Sequence, residues 1–174
     1  MRIPSGMKFI DTCGIMLFIN RDDALRRHYN LGKKEAESCV AKNEKRFCIP
    51  MPVLGEAVYK VHEKCGDHAD DVLKELNRLI RNDFLTIRFI NNPSKTFQIA
   101  RQLSSEMNDD RDSISPMDAL ILATAITEQD CVALYTTDTK LILDTRVKDI
   151  ISDSRDDLGF QPMRVCDIDD ILRS

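Results

Sequence analysis

The stretch "SISPMDALILATAITEQ", residues 113–129, constrains the fold most, because almost every position after Asp118 is Ala, Leu, Ile or Thr. A helix that is apolar on nearly every side has no face to give to water, so it has to be buried against a sheet and beneath other helices. Its start is as well defined as its body. Ser115 is a predicted N-cap and Pro116 suits the first turn. Asp118 stands where the acid of a capping box falls, although Glu or Gln is the usual choice there. Its charge also complements the positive end of the helix dipole. These roles are sufficient for Asp118 alone; a further role requires partners.

The rest of the chain supplies the sheet. "KFID" is a short apolar run ending in an acid, "GIMLFI" continues as the start of a helix, and "FCIP" at 47–50 is a strand stopped by proline. "PVLGEAVYKVHEKC" places Val53, Leu54, Ala57, Val58 and Val61 at helical spacing, and "DHADDVLKELNRLIRN" puts Val72, Leu73, Leu76, Leu79 and Ile80 on one side. "LTIRFI" alternates like a strand, "SKTFQIARQLSSEM" predicts another helix, and 108–113 a polar loop. "CVALYTTD" is an apolar strand that again ends in an acid, and "QPMRVC" predicts the last strand, at a sheet edge. Strands alternating with helices define an α/β fold, three layers (α/β/α) around a mostly parallel central sheet. With no repeat, linker or low-complexity block, residues 1–174 read as one domain, with 1–6 a short leader and 21–46 a charged helical segment.

Composition narrows the function. With 43% hydrophobic and 31% charged residues, the 174-residue chain fits an ordinary soluble domain with a full core. A net charge of −4 argues against nucleic-acid binding by bulk electrostatics but leaves room for a local basic patch. The segment 21–46 offers one: Arg21, Arg26, Arg27, Lys33, Lys34, Lys42, Lys45 and Arg46 stand against five acids. Its ordinary role is a solvated face, and the alternative is a phosphate-binding one. The six cysteines form neither a CxxC pair nor a cluster with histidine, which predicts reduced, buried thiols. Asp11 interrupts the apolar N-terminal run, and no run approaches a membrane span, so a cytoplasmic location without membrane contact is expected.

Topology then gives Asp118 its partners. In a parallel α/β sheet, strand C-termini and helix N-termini share one edge. Ligands bind outside that edge, where the strand order switches. Asp11 ends the first strand, Asp138 ends "ALYTTD", Asp118 opens the buried helix, and Glu56 lies in the first turns of the helix after "FCIP". Singly, each has a plain structural role: Asp11 and Asp138 as caps, Glu56 as a solvated acid. Jointly, four like charges raise one another's pKa unless a cation neutralises them. An all-oxygen set suits Mg²⁺ or Mn²⁺, in sites that position water and stabilise phosphoryl-transfer charge.

"FIDT" with Asp11, "VLGEAVY" with Glu56, "SPMDALILATA" with Asp118 and "LYTTDTKL" with Asp138 together resemble the PIN-domain nucleases, especially their VapC-type toxin branch. The resemblance runs roughly from residue 7 to 166. It implies a PIN-like fold and a metal-dependent endoribonuclease in which Asp11, Glu56, Asp118 and Asp138 are catalytic and hold one or two Mg²⁺ or Mn²⁺ ions. By the same resemblance the substrate is single-stranded or exposed RNA, cut by in-line attack of water to leave 5′-phosphate and 3′-hydroxyl ends. Thr12 and Thr137 would be hydroxyls that orient a carboxylate or water; Lys140 would touch a phosphate, or be merely an exposed lysine at a helix start. A homodimer is implied, and in the toxin branch an antitoxin protein; an RNA-processing role is the other option. Three features depart from the family pattern: Cys13 where Ser or Asn is common, no further acid in Thr139–Leu141, and extra length around 21–46 and 144–160. Two alternatives stand beside the nuclease. One is a catalytically silent PIN-like module that binds RNA or a protein partner. The other, a receiver-type phosphoacceptor domain, wants adjacent acids after its first strand, and "FIDT" supplies only one. His28, His62 and His68 carry no assigned role.

Overall fold

The computed structural model describes residues 6–19, 47–106 and 113–172. The charged segment 21–46 (His28 included), all but Gly6 of the leader, and all but Ser113 of the polar loop lie outside them. The elements run β1 (Met7–Ile10), α1 (Thr12–Phe18), β2 (Phe47–Pro50), α2 (Met51–Cys65), α3 (Ala69–Arg81), β3 (Leu85–Arg88), α4 (Pro93–Glu106), α5 (Pro116–Thr127), β4 (Cys131–Thr136), α6 (Thr139–Leu143), α7 (Thr145–Asp157), β5 (Arg164–Asp167) and α8 (Asp169–Leu172). The strands form one sheet in the order β3-β2-β1-β4-β5, and every pairing is parallel. The expected "mostly parallel" sheet is therefore wholly parallel among the described residues.

That order explains the three layers. From β1 the chain moves outward through β2 to β3, then returns past β1 to β4 and β5. Right-handed crossovers in opposite directions put helices on opposite faces. The strands read accordingly. Every residue of β2 and β4 is buried, as a sheet covered on both sides requires. In β3, at one edge, only Leu85 is buried, and the strand stops at Arg88, two residues short of the alternation in "LTIRFI". Phe89 is 67% exposed and continues nothing.

The greasy helix is α5. Ala119 and all residues from Ile121 to Thr127 are buried, and it lies against α4, β4 and β2. α3 shows the opposite design. Val72, Leu76 and Leu79 face the core, while Asp71–Lys74 and Glu75–Arg78 pairs line its outer side. α1 follows Asp11 directly and approaches the end of β5 so closely that Gly14 is needed: a Cβ there would stand 2.5 Å from Ile10 Cγ1 and 2.6 Å from Ile168 Cδ1. No helix among the described residues is long and apolar enough to cross a membrane.

Candidate active site

The strand order switches between β1 and β4, and the residues that leave these two strands build the site. The Asp11 N–H donates to Tyr135 O on β4 at 2.9 Å, so the chain is still zipped to its neighbour as Asp11 ends the strand. Asp11 is the N-cap of α1, with Oδ1 accepting from the Thr12 N–H, and Oδ2 accepts from Thr136 Oγ1 at 2.7 Å. Asp11 as a whole is 4% exposed. Burial pushes its carboxyl up to about 6; the Thr136 hydrogen bond opposes the rise, and the charges of Asp118 and Glu56 add to it.

Glu56 comes in from α2. Its Oε2 accepts from Thr12 Oγ1 at 2.5 Å, and its Oε1 meets Lys60 Nζ at 2.7 Å. Asp118 is the third residue of α5: its N–H donates to Ser115 Oγ at 3.1 Å, and the Ser115 hydroxyl donates to Asp118 Oδ2 at 2.6 Å. Burial raises the Asp118 carboxyl, Ser115 pulls it down, and Glu56 and Asp138 push it up again. Asp138 caps α6 through Oδ1 and the Lys140 N–H at 2.8 Å. The Asp138 N–H in turn donates to Thr136 Oγ1 at 3.0 Å, so one hydroxyl joins Asp11 to Asp138.

The expected capping roles of Ser115, Asp11 and Asp138 are thus all present, and the four acids also feel one another's charge. A divalent cation suits such a set chemically: oxygen donors only, mutual repulsion, and a buried carboxyl whose ionised form lacks neutralisation. As the side chains stand, no three His, Cys, Asp or Glu groups among the described residues close around one ion. Each acid is turned instead to a donor of the chain itself. Closing on an ion therefore means reorienting some of these side chains.

The hydroxyls differ in part from expectation. Thr12 does hold a carboxylate, that of Glu56, but Thr137 reaches the Cys13 thiol. Thr136, one residue earlier, is the hydroxyl on Asp11. The two side chains leave the end of β4 in different directions, and residue type alone does not say which one faces the acid. Burial and the Asp11 charge push the Cys13 thiol up, so it stays protonated beside the acids. Lys140 is exposed, with Nζ 3.5 Å from Ser113 O, while Asp144 caps α7 and pairs with Arg146 at 2.9 Å. His62 and His68 are exposed. Lys60 belongs to the cluster without any motif to announce it; the only sequence signal is Glu followed by Lys at i,i+4.

Comparison with known proteins identifies the family and the fold. The PIN domain family model matches residues 8–146, well over half of the chain, and the protein belongs to that family. Among solved structures, it resembles VapBC2 from Rickettsia felis bound to a promoter DNA fragment, at 18% identity and TM-score 0.57, covering 92% of this chain and 98% of that one. DNA-bound VapBC from Salmonella typhimurium matches at 17% identity and TM-score 0.53 over 92% and 97%. VapC20 of Mycobacterium tuberculosis, a toxin that cleaves the sarcin-ricin loop, matches at 19% identity and TM-score 0.50 over 90% and 98%. None of the curated protein sequences matches significantly. The chain therefore has the PIN fold in the form seen in VapC structures.

Proposed function

We propose that this protein is a metal-dependent endoribonuclease, and that Asp11, Glu56, Asp118 and Asp138 are its metal-holding and catalytic residues. The observation that carries the reading is the delivery of four electrostatically coupled acids to the β1/β4 switch by four different elements. Mg²⁺ or Mn²⁺ bound there supplies charge neutralisation and the activation of water for attack on phosphorus. The chain's own groups do the positioning. Thr12 and Thr136 fix Asp11 and Glu56, Ser115 fixes Asp118, and the Lys140 N–H fixes Asp138. RNA is the substrate class because the similar VapC20 is named for cutting the sarcin-ricin loop. The similar structures described as VapBC complexes further support an antitoxin-like protein partner, which in this reading covers the site. A homodimer and a cytoplasmic location complete the reading. The silent module remains the competing one, favoured by the engagement of every acid with an internal donor.

The test is cleavage of a mixed single-stranded RNA pool with Mn²⁺ or Mg²⁺, with EDTA and Asp118→Asn as controls. Cleavage is expected to need the ion and to fall at least about a hundredfold in the variant, the scale for losing a group that organises phosphoryl-transfer charge. Equal cleavage by a folded Asp118→Asn protein removes Asp118 from the site, and no cleavage under any condition favours the silent module.

A further inference from the structure

Lys60 stands inside the acid cluster, and its place there resembles that of a bound cation. Its ammonium is 2.7 Å from Glu56 Oε1, and the two side chains are only 29% and 16% exposed. The other Glu56 oxygen accepts from Thr12 Oγ1 at 2.5 Å, so both carboxylate oxygens are engaged by donors of the chain itself. The Lys60 charge also registers at Asp118, and Lys60 feels that of Asp11. An ordinary i,i+4 pair on a helix surface contributes little and reaches no third group. This one is half-buried and couples to three acids of the site.

We infer that Lys60 is an internal counter-cation that competes with the divalent metal for Glu56, so that metal loading requires the ammonium to leave Oε1. The inference rests on the metal-site reading above. In the metal-free protein Lys60 offsets part of the repulsion among Asp11, Glu56 and Asp118 and holds Glu56 against Thr12. An arriving dication takes over that neutralisation, and the flexible lysine stem frees the ammonium toward the mouth of the site. Lys60 is thus a positioning residue that sets how much metal the site demands.

Calorimetric titration of Mn²⁺ into wild type, Lys60→Met, Lys60→Arg, Glu56→Gln and the Glu56→Gln/Lys60→Met double variant tests this without reading activity. Removing a unit charge from contact with the ion's ligand is expected to tighten Mn²⁺ binding at least about fivefold in Lys60→Met, because the competitor is gone. Lys60→Arg should stay close to wild type. In the Glu56→Gln background the Lys60→Met gain should largely vanish. Melting of Lys60→Met should fall without metal and rise more steeply with Mn²⁺ than wild type. A folded Lys60→Met that binds Mn²⁺ no tighter than wild type overturns the inference and leaves the metal reading standing. Failure of wild type and Lys60→Met alike to bind Mn²⁺ overturns the metal reading, and this inference with it.

Discussion

Asp11 concentrates the tension of the site in one residue. The carboxyl of this buried residue, pushed up to about 6, binds its proton more tightly folded than unfolded. Between its ordinary value and about 6, the folded metal-free protein therefore holds more protons than the unfolded chain, and stability falls as pH rises through that window. The loss amounts to about 3 kcal/mol, complete above the folded value. Asp11→Asn removes the ionisation and keeps an acceptor for the Thr12 N–H. We expect the metal-free variant to melt higher than wild type near pH 7.5 and to lose the slope between pH 4 and 6. Melting curves across that range without metal check this; a parallel decline in both proteins places the strain elsewhere. Mn²⁺ should stabilise wild type chiefly above pH 6, where Asp11 is ionised, and the variant little at any pH. The position of Asp11 was readable as an acid closing an apolar run. The identity of its hydroxyl partner, Thr136 and not Thr137, was not readable, because two adjacent threonines differ only in the direction the strand gives them.

At the level of elements, α5 joins stability to chemistry. Its body is buried because its composition leaves no polar face, and that makes its first turn a rigid platform at the sheet edge. Ser115 connects the two functions, since the hydroxyl that caps the helix also holds Asp118 Oδ2. Ser115→Ala should cost about 1 kcal/mol through the lost cap. For a chain of this length that lowers the melting point by roughly 2–4 °C. If Asp118 is catalytic, the same change should slow cleavage with little effect on RNA affinity, because the acid loses its orienting donor and not its charge. A melting point lowered with cleavage unchanged would confine Ser115 to capping. α2 to α5 were legible because their apolar spacing is local, whereas α7 and α8 were not read from the sequence. β3 was legible only in part: "LTIRFI" alternates over six residues, but pairing on one side alone ends the strand after four.

On the scale of the whole molecule, the acids occupy the edge where strands end, and the opposite edge is held by a residue no motif indicates. Arg155 is 1% exposed although it sits in "SDSRDD", a sequence that reads as a solvated face. Its guanidinium donates to the carbonyls of Ile126 (3.0 Å), Glu128 (2.8 Å), Gln129 (3.1 Å), Cys131 (3.0 Å) and Gln161 (2.7 Å), and stands 5.1 Å from the centre of the Phe160 ring. It thus ties the end of α5, the entry to β4 and the turn after α7 into one knot, using the planar fork that lysine lacks. Burial of this kind is decided by three segments meeting in space, which is why local pattern gives no sign of it. All but the start of α7, and all of β5, lie beyond the span matched by the family model, yet β5 pairs in register with β4, so the knot fastens the outermost strand unit to the common core. Arg155→Met keeps much of the stem's volume but takes the guanidinium donor from five carbonyls, of which Glu128 O keeps the Cys131 N–H, at a cost of about 3 kcal/mol. Arg155→Lys should recover less than half of that, because one ammonium cannot serve five acceptors. Urea unfolding of the three proteins measures the difference. Cleavage by the folded fraction at low temperature should be nearly unchanged, since the knot and the acids sit at opposite ends of β4. A stable Arg155→Met with impaired cleavage would show instead that the two edges are coupled through α5.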